Sequence, residues 1–174
     1  ELRTIVEVSH EEGVIETEEK KMITNVFDFG DSVAKDIMVP RIDMVMVDVN
    51  ATYEEAIEIF RRERFTRIPV YEDSTDNVIG IINVKDFLLE DRGGEISLRE
   101  LMREPVYTYE YKKISELMME MKKTSNNLII VLDEYGATAG LITLEDMLEE
   151  IVGDIRDEYD EDEEDEVMEV APGE

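Results

Sequence analysis

The sequence predicts an α+β fold: two tandem β-α-β-β-α repeats packed through their sheets and preceded by a helical lead-in. Three observations carry that expectation. Past Gly30 the same order of apolar runs and turn residues occurs twice, which marks an internal repeat, and neither copy is large enough to bury a sheet by itself. A third is the helical period of apolar residues ahead of the first copy. The expected organisation is residues 1–30 as lead-in or linker, 31–95 as the first repeat, 96–156 as the second, and 157–174 as an acidic, mobile tail or linker.

In the lead-in, Leu2, Ile5, Val6, Val14, Ile15, Met22, Ile23, Val26 and Phe27 recur at helical spacing, and Gly13 predicts a break between two helices. So little apolar surface cannot fold alone. These helices are expected to pack on the repeats or to connect them to a neighbour. The first repeat opens with "SVAKDIMVPRIDMVMVDVN" and continues with the helix "TYEEAIEIFRRERF", where Thr52 and Glu55 make a capping box. The strand "RIPVYED", a short turn, the strand "VIGIINV" and the helix "KDFLLE" complete it. The second repeat opens with "SLRELMREPVYTYEY", with Ser97 and Glu100 as another capping box. The helix "ISELMMEMKK", the strand "LIIVLDE", a turn at Tyr135-Gly136, the strand "TAGLITL" and the helix "EDMLEEIVGD" come next. Met38 matches Met102, Val70 matches Val131, Gly80 matches Gly140 and Asp86 matches Asp146, each about 60 residues apart.

Composition narrows the function. With 174 residues and 43% hydrophobic content the chain can bury a real core. No apolar run approaches the ~20 residues that cross a bilayer. The chain begins at Glu1 without Met and without a basic-then-apolar leader, so no signal peptide is expected and the sequence reads as a piece of a longer protein. There is no cysteine, which removes disulfides, thiolate catalysis and zinc–thiolate sites and suits a reducing compartment. His10, the one histidine, sits in a charged stretch and reads as a solvated helix residue. A net charge of −28, from 18 basic and 46 acidic residues, opposes nucleic acid and anionic lipid as partners. Arg61, Arg62, Arg64 and Arg67 nevertheless crowd one segment, a pattern that either serves a small polyanion or only solvates a helix face.

Catalytic signatures are missing. There is no Gly-x-x-x-x-Gly-Lys loop, and Asp28-Phe29-Gly30 stands without the other parts of a kinase. The acidic end lacks the central Gly of a calcium loop, so no metal site is expected and the chain is read as a non-enzyme. Chemistry is expected where a strand becomes a helix. There each repeat carries a polar residue and an Asp three positions apart: Asn83 and Asp86, then Thr143 and Asp146. Such a junction exposes unpaired N–H groups and the positive end of a helix dipole, which suits phosphate. A carboxylate accepts from both hydroxyls of a ribose. The plain alternative is that these residues only cap their helices; two copies at matching places favour a ligand.

A repeat ending in Gly-x-x-(Thr/Ser/Asn)-x-x-Asp resembles the cystathionine-β-synthase (CBS) pair, a module that commonly binds adenine nucleotides. The phrases "DIMVPRIDM", "FTRIPVYED", "GIINVKDFL" and "LDEYGATAGLITLEDMLEEIVGDIRDEYD" resemble the CBS pair of the CorC and cyclin M group of magnesium and cobalt transport proteins, over nearly the whole chain. The resemblance implies a regulatory CBS pair that binds ATP or AMP, with Mg²⁺ as an accompanying ion. It also implies a homodimer, and the cytosolic side of an inner-membrane protein whose membrane transport domain is a partner. Val39 and Pro40 would flank the adenine, while Phe65, Thr66, Arg67, Ile68 and Pro69 would offer backbone groups to the base, with Arg67 reaching the phosphates. Thr143 would meet the phosphates and Asp146 the ribose, with Glu145 nearby. Many relatives carry Thr where Val39 stands, so one hydroxyl contact is expected to be absent. A weaker second site would use Asn83, Asp86, Asn126 and Asn127. There Leu128 stands where the first repeat has Arg67 and Ile130 where it has Pro69, so one working site is expected. The competing function is a nucleotide-independent dimerisation scaffold, for which the methionine-rich helix is suited.

Overall fold

The computed structural model describes residues 2–13, 16–90 and 95–153. The expected acidic tail, 157–174, lies outside the described residues, as do Val14 and Ile15.

Gly13 adopts φ +74, a conformation that costs glycine nothing, and it separates helix α1 (Leu2–Glu11) from α2 (Thr17–Asp31). Among the described residues, those up to Phe27 and those from Leu148 to Gly153 form one compact unit, and those between Asp28 and Met147 form another. In the first unit Asn25 Nδ2 donates to the Ile151 carbonyl at 3.2 Å, and the Arg3 guanidinium lies 5.5 Å over the Phe27 ring. His10 lies on α1, partly open to solvent, and its Nε2 shares a hydrogen bond with Thr17 Oγ1 at 3.2 Å.

The second unit holds two sheets. One has the order β2 (Val47–Asp48), β3 (Arg67–Glu72), β4 (Ser74–Asn83); the other has β1 (Val39–Pro40), β7 (Thr138–Thr143), β6 (Leu128–Leu132), β5 (Tyr107–Tyr109). The helices are α3 (Ala34–Ile37), α4 (Tyr53–Glu63), α5 (Val84–Leu88), α6 (Leu98–Leu101), α7 (Ile114–Thr124) and α8 (Leu144–Val152). The Thr52 box forms as expected: Thr52 Oγ1 accepts from Glu55 N at 3.1 Å and Glu55 returns the bond at 2.9 Å. At the Ser97 box the Glu100 carboxylate accepts both the N–H and the hydroxyl of Ser97, each at 3.0 Å.

The repeats match in backbone detail. α4 ends on Arg64 and α7 on Ser125, both at φ +56. Val70 pairs with Gly80 and Val131 with Gly140, and each sheet has a register shift next to that pair. Side chains alternate across each strand. Ile68, Val70 and Ile82 therefore face a core with Ala56, Phe60, Phe87 and Leu98. Ile81 and Val78 face the other repeat and meet Leu128, Ile130 and Leu141. Burial on both faces explains why these strands read as continuous apolar runs. Tyr107 ties the seam from the side, its hydroxyl donating to the Val78 carbonyl at 2.6 Å, and burial pushes that phenol up, so it remains a donor.

The sequence did not show that the two opening segments are exchanged. β1 pairs antiparallel with β7, Val39 opposite Leu141 and Pro40 opposite Gly140. Just upstream, Ala34 N donates to the Lys112 carbonyl and Lys35 N to that of Glu110, at 2.9 and 2.8 Å. In return Arg103 bridges Ile81, and Leu98 is buried in the first repeat's core. Two glycines allow this approach. A Cβ on Gly140 would overlap the Val39 carbonyl oxygen and lie 2.8 Å from Met38 Sδ; one on Gly80 would meet Met102, whose Cβ stands 2.9 Å away.

Gly140→Ala should cost about 1–3 kcal/mol, the usual range for overpacking, since a backbone carbonyl must move. Gly80→Ala should cost less because a flexible thioether takes most of the clash. Urea unfolding of both variants checks the order.

Candidate functional site

Thr143 closes β7 and opens α8, and the expected cap is present there. Asp146 N donates to Thr143 Oγ1 at 3.1 Å, and Thr143 N donates to Asp146 Oδ2 at 3.3 Å. The capping reading thus holds, yet it leaves capacity to spare. A hydroxyl that accepts one bond still has a proton to donate, and Asp146 Oδ1 has no partner among the described residues. Both side chains are half-buried and Glu145 is exposed. β1 lies alongside, since Val39 pairs with Leu141 two residues before Thr143. One strand pairing therefore sets β1 along the strand that leads into Thr143, with Val39 nearer to it than Pro40.

Phe65 and Thr66 are exposed on the connection into β3, and the Thr66 carbonyl accepts from Val84 N at 2.9 Å. Ile68 and Pro69 are buried, Ile68 within the first repeat's core, so any role for Ile68 falls to its backbone. Arg67 begins β3 opposite Asn83. It is half-buried, and among the described residues its guanidinium makes no hydrogen bond or ion pair.

A cleft of about 170 Å³ is lined by Arg67, Asn83, Arg103, Asn126, Asn127 and Leu128, among others. It gathers Asn83, Asn126 and Asn127 as expected, and it adds Arg67; Thr143 and Asp146 do not line it. Leu128 connects the two places, being part of this cleft and the cross-strand partner of Thr143. The second cleft therefore does not lack a guanidinium, the ground on which the sequence led to an expectation of weak phosphate binding there.

What sets the second cleft apart is Asp86. Asn83 Oδ1 accepts from Lys85 N at 3.0 Å, so no reciprocal box forms. The Asp86 carboxylate instead takes a two-pronged bond from Arg103, Nε to Oδ2 at 3.0 Å and Nη2 to Oδ1 at 2.8 Å. Hydrogen bonding to Asp86, then its charge, pushes the Arg103 guanidinium up, so Arg103 stays cationic throughout the working pH range. Arg103 was missed in the sequence. The signal was there, because it follows Met102 as Val39 follows Met38. Among the described residues no group of three or more His, Asp or Glu could hold a metal ion, and no described helix is long and apolar enough to cross a membrane.

Known proteins share this architecture. The CBS-domain family matches twice, at residues 34–93 and 98–153. YugS of Bacillus subtilis is 43% identical over 94% of this chain and 38% of its own length. The magnesium and cobalt efflux protein CorC of Escherichia coli is 32% identical over 92% of this chain and 56% of its own. The chain thus spans between about two fifths and just over half of these relatives. A solved CBS domain of a bacterial CNNM/CorC family Mg²⁺ transporter, in complex with ATP, is 34% identical with a TM-score of 0.74, covering 79% of this chain and 99% of that one. Two matched repeats, interlocked through their exchanged opening segments, and similarity to that structure over nearly all its length lead to one statement: the chain belongs to the CBS-domain family and is a tandem CBS pair of the CorC/CNNM kind.

Proposed function

We propose that this chain is the regulatory, adenine-nucleotide-binding part of a CorC-like magnesium or cobalt transport protein. The observation that carries the reading is the start of α8, where Thr143 keeps a proton to donate and Asp146 keeps an oxygen without a partner among the described residues, beside β1. A related CBS domain solved with ATP supports it. In this reading Asp146 accepts from the ribose, Thr143 donates to a phosphate, and Glu145 lies at the edge. Val39 and Pro40 flank the adenine, and the Phe65–Pro69 segment supplies backbone groups to it. Arg67, whose guanidinium has no partner among the described residues, reaches the phosphates across Leu128. Mg²⁺ arrives on the nucleotide's own phosphates, and no protein ligands for it are proposed. Binding favours one arrangement of the module by the difference in affinity between arrangements, and a homodimer passes that bias to a membrane domain on the cytosolic side. The role is binding and not turnover.

One observation favours a second reading, a dimerisation scaffold indifferent to nucleotide. Leu88, Leu89 and Met119 are 76%, 80% and 73% exposed, an apolar outlay that a partner copy would cover. Sedimentation velocity with and without ATP separates the two, because a dimer whose stability ignores nucleotide supports the scaffold.

Titration calorimetry with ATP, with and without MgCl₂, should give saturable binding, and no phosphate should be released over time. Asp146→Ala should abolish the heat and cost about 1 kcal/mol of stability through the lost cap. No saturable heat at millimolar ATP in the parent chain would sink the nucleotide reading.

A further inference from the structure

The two clefts share a backbone plan but differ at one matched position. Met38 covers Gly140 and is followed by Val39, which pairs with Leu141. Met102 covers Gly80 and is followed by Arg103, which pairs with Ile81. Arg103 thus stands in the second cleft where Val39 stands in the first. Asp86 matches Asp146, but their carboxylates are used differently. Asp146 accepts one 3.3 Å bond from Thr143 N, on Oδ2. Asp86 has both oxygens taken by Arg103, at 3.0 and 2.8 Å.

We propose that Arg103 denies the second cleft to nucleosides by holding the carboxylate their ribose would need, so that the chain takes one adenine nucleotide and not two. The proposal deepens the nucleotide reading and rests on it for the identity of the ligand. A ribose diol donates two neutral hydrogen bonds. At Asp86 it competes with a forked, charge-assisted pair, the stronger kind, that engages both oxygens and sets the guanidinium in front of them; at Asp146 it meets an oxygen without a partner among the described residues and an apolar neighbour. The pair is also poised where it can act, because the Asp86 side chain is 21% exposed and that of Arg103 67%. The carboxylate is sheltered while the guanidinium is mostly in solvent, so replacing Arg103 opens no cavity and frees the carboxylate for another donor. Arg103 is therefore a specificity-determining residue with little structural duty.

Plain electrostatics predicts the opposite outcome when Arg103 is removed. Taking away a cation from a cleft should weaken a triphosphate. Freeing Asp86 should instead let a second sugar in. Equilibrium dialysis with MgATP distinguishes these. The parent chain should bind one equivalent and Arg103→Ala two, and Asp86→Ala placed on top of Arg103→Ala should return the count to one. Arg103→Gln, which keeps the stem but not the charge, serves the same purpose should the alanine variant unfold. A count that does not rise when Arg103 is replaced overturns the proposal, as does a parent chain that already binds two. Should the parent bind none while Arg103→Ala gains one equivalent that Asp86→Ala removes, the reading of the first cleft fails and the assignment of Arg103 stands.

Discussion

The second compact unit depends on the chain coming closer at two glycines than a side chain there would permit. Gly140 and Gly80 have no Cβ, and into that space come the Val39 carbonyl with Met38, and Met102. The consequence is larger than the contact. Each repeat gives its opening segment to the other's sheet, so neither repeat is complete in its own stretch of chain. A seam of Val78, Ile81, Leu128, Ile130 and Leu141 could in principle slide, because apolar packing is not directional. The exchanged segments fix its register with hydrogen bonds, and they also deliver Val39 and Arg103 to the two clefts.

Near-symmetry of the backbone makes the asymmetry of the side chains informative. Arg64 and Ser125 end their helices with the same dihedral, yet the next strands begin with Arg67 in one repeat and Leu128 in the other. Thr143 and Asn83 both open a helix, but only Thr143 enters a reciprocal box with its Asp. Val39 and Arg103 both bridge a β-strand, but only Arg103 has a charge to place. The fold is thus built twice while the cleft side chains differ, as expected when packing constrains buried positions in both copies and cleft positions are free to diverge.

Much of this was legible in the sequence, and what was not has a physical reason. Helix starts announced themselves through Thr52 and Glu55, helix ends through Gly13, and strands through apolar runs, because these are local signals read within a few residues. Even the cross-strand pairs Val70–Gly80 and Val131–Gly140 agree with the matching of the repeats. The exchange of opening segments could not be read that way. "MVP" and "MRE" carry no mark of which sheet they join, since the pairing partner lies about a hundred residues off for one and about twenty for the other. The place of Arg103 was legible, since it follows Met102 as Val39 follows Met38, but its role was not, because that is set by Asp86, seventeen positions upstream. The expected facing of Arg67 and Thr143 is of this non-local kind too, and the cleft that Arg67 lines is the one around Asn83.

Charge decides how the proposed ligand could be accepted at all. The chain bears −28, and a nucleoside triphosphate is itself strongly anionic. At physiological ionic strength the Debye length is about 8 Å, so most of those carboxylates are invisible from inside a cleft, and what an incoming phosphate meets is set by the nearest few groups. In the second cleft Arg103 is already neutralised by Asp86, whereas Arg67 has no counter-ion among the described residues. Even with Arg64, exposed at the end of α4, Arg67 cannot balance a triphosphate, and the described residues offer no cluster to bind a metal of their own. The balance therefore has to come with the ligand. On the proposed reading, a nucleotide whose phosphates already carry Mg²⁺ is the form that so acidic a protein can take up, and the sensor responds to the ion and the nucleotide together.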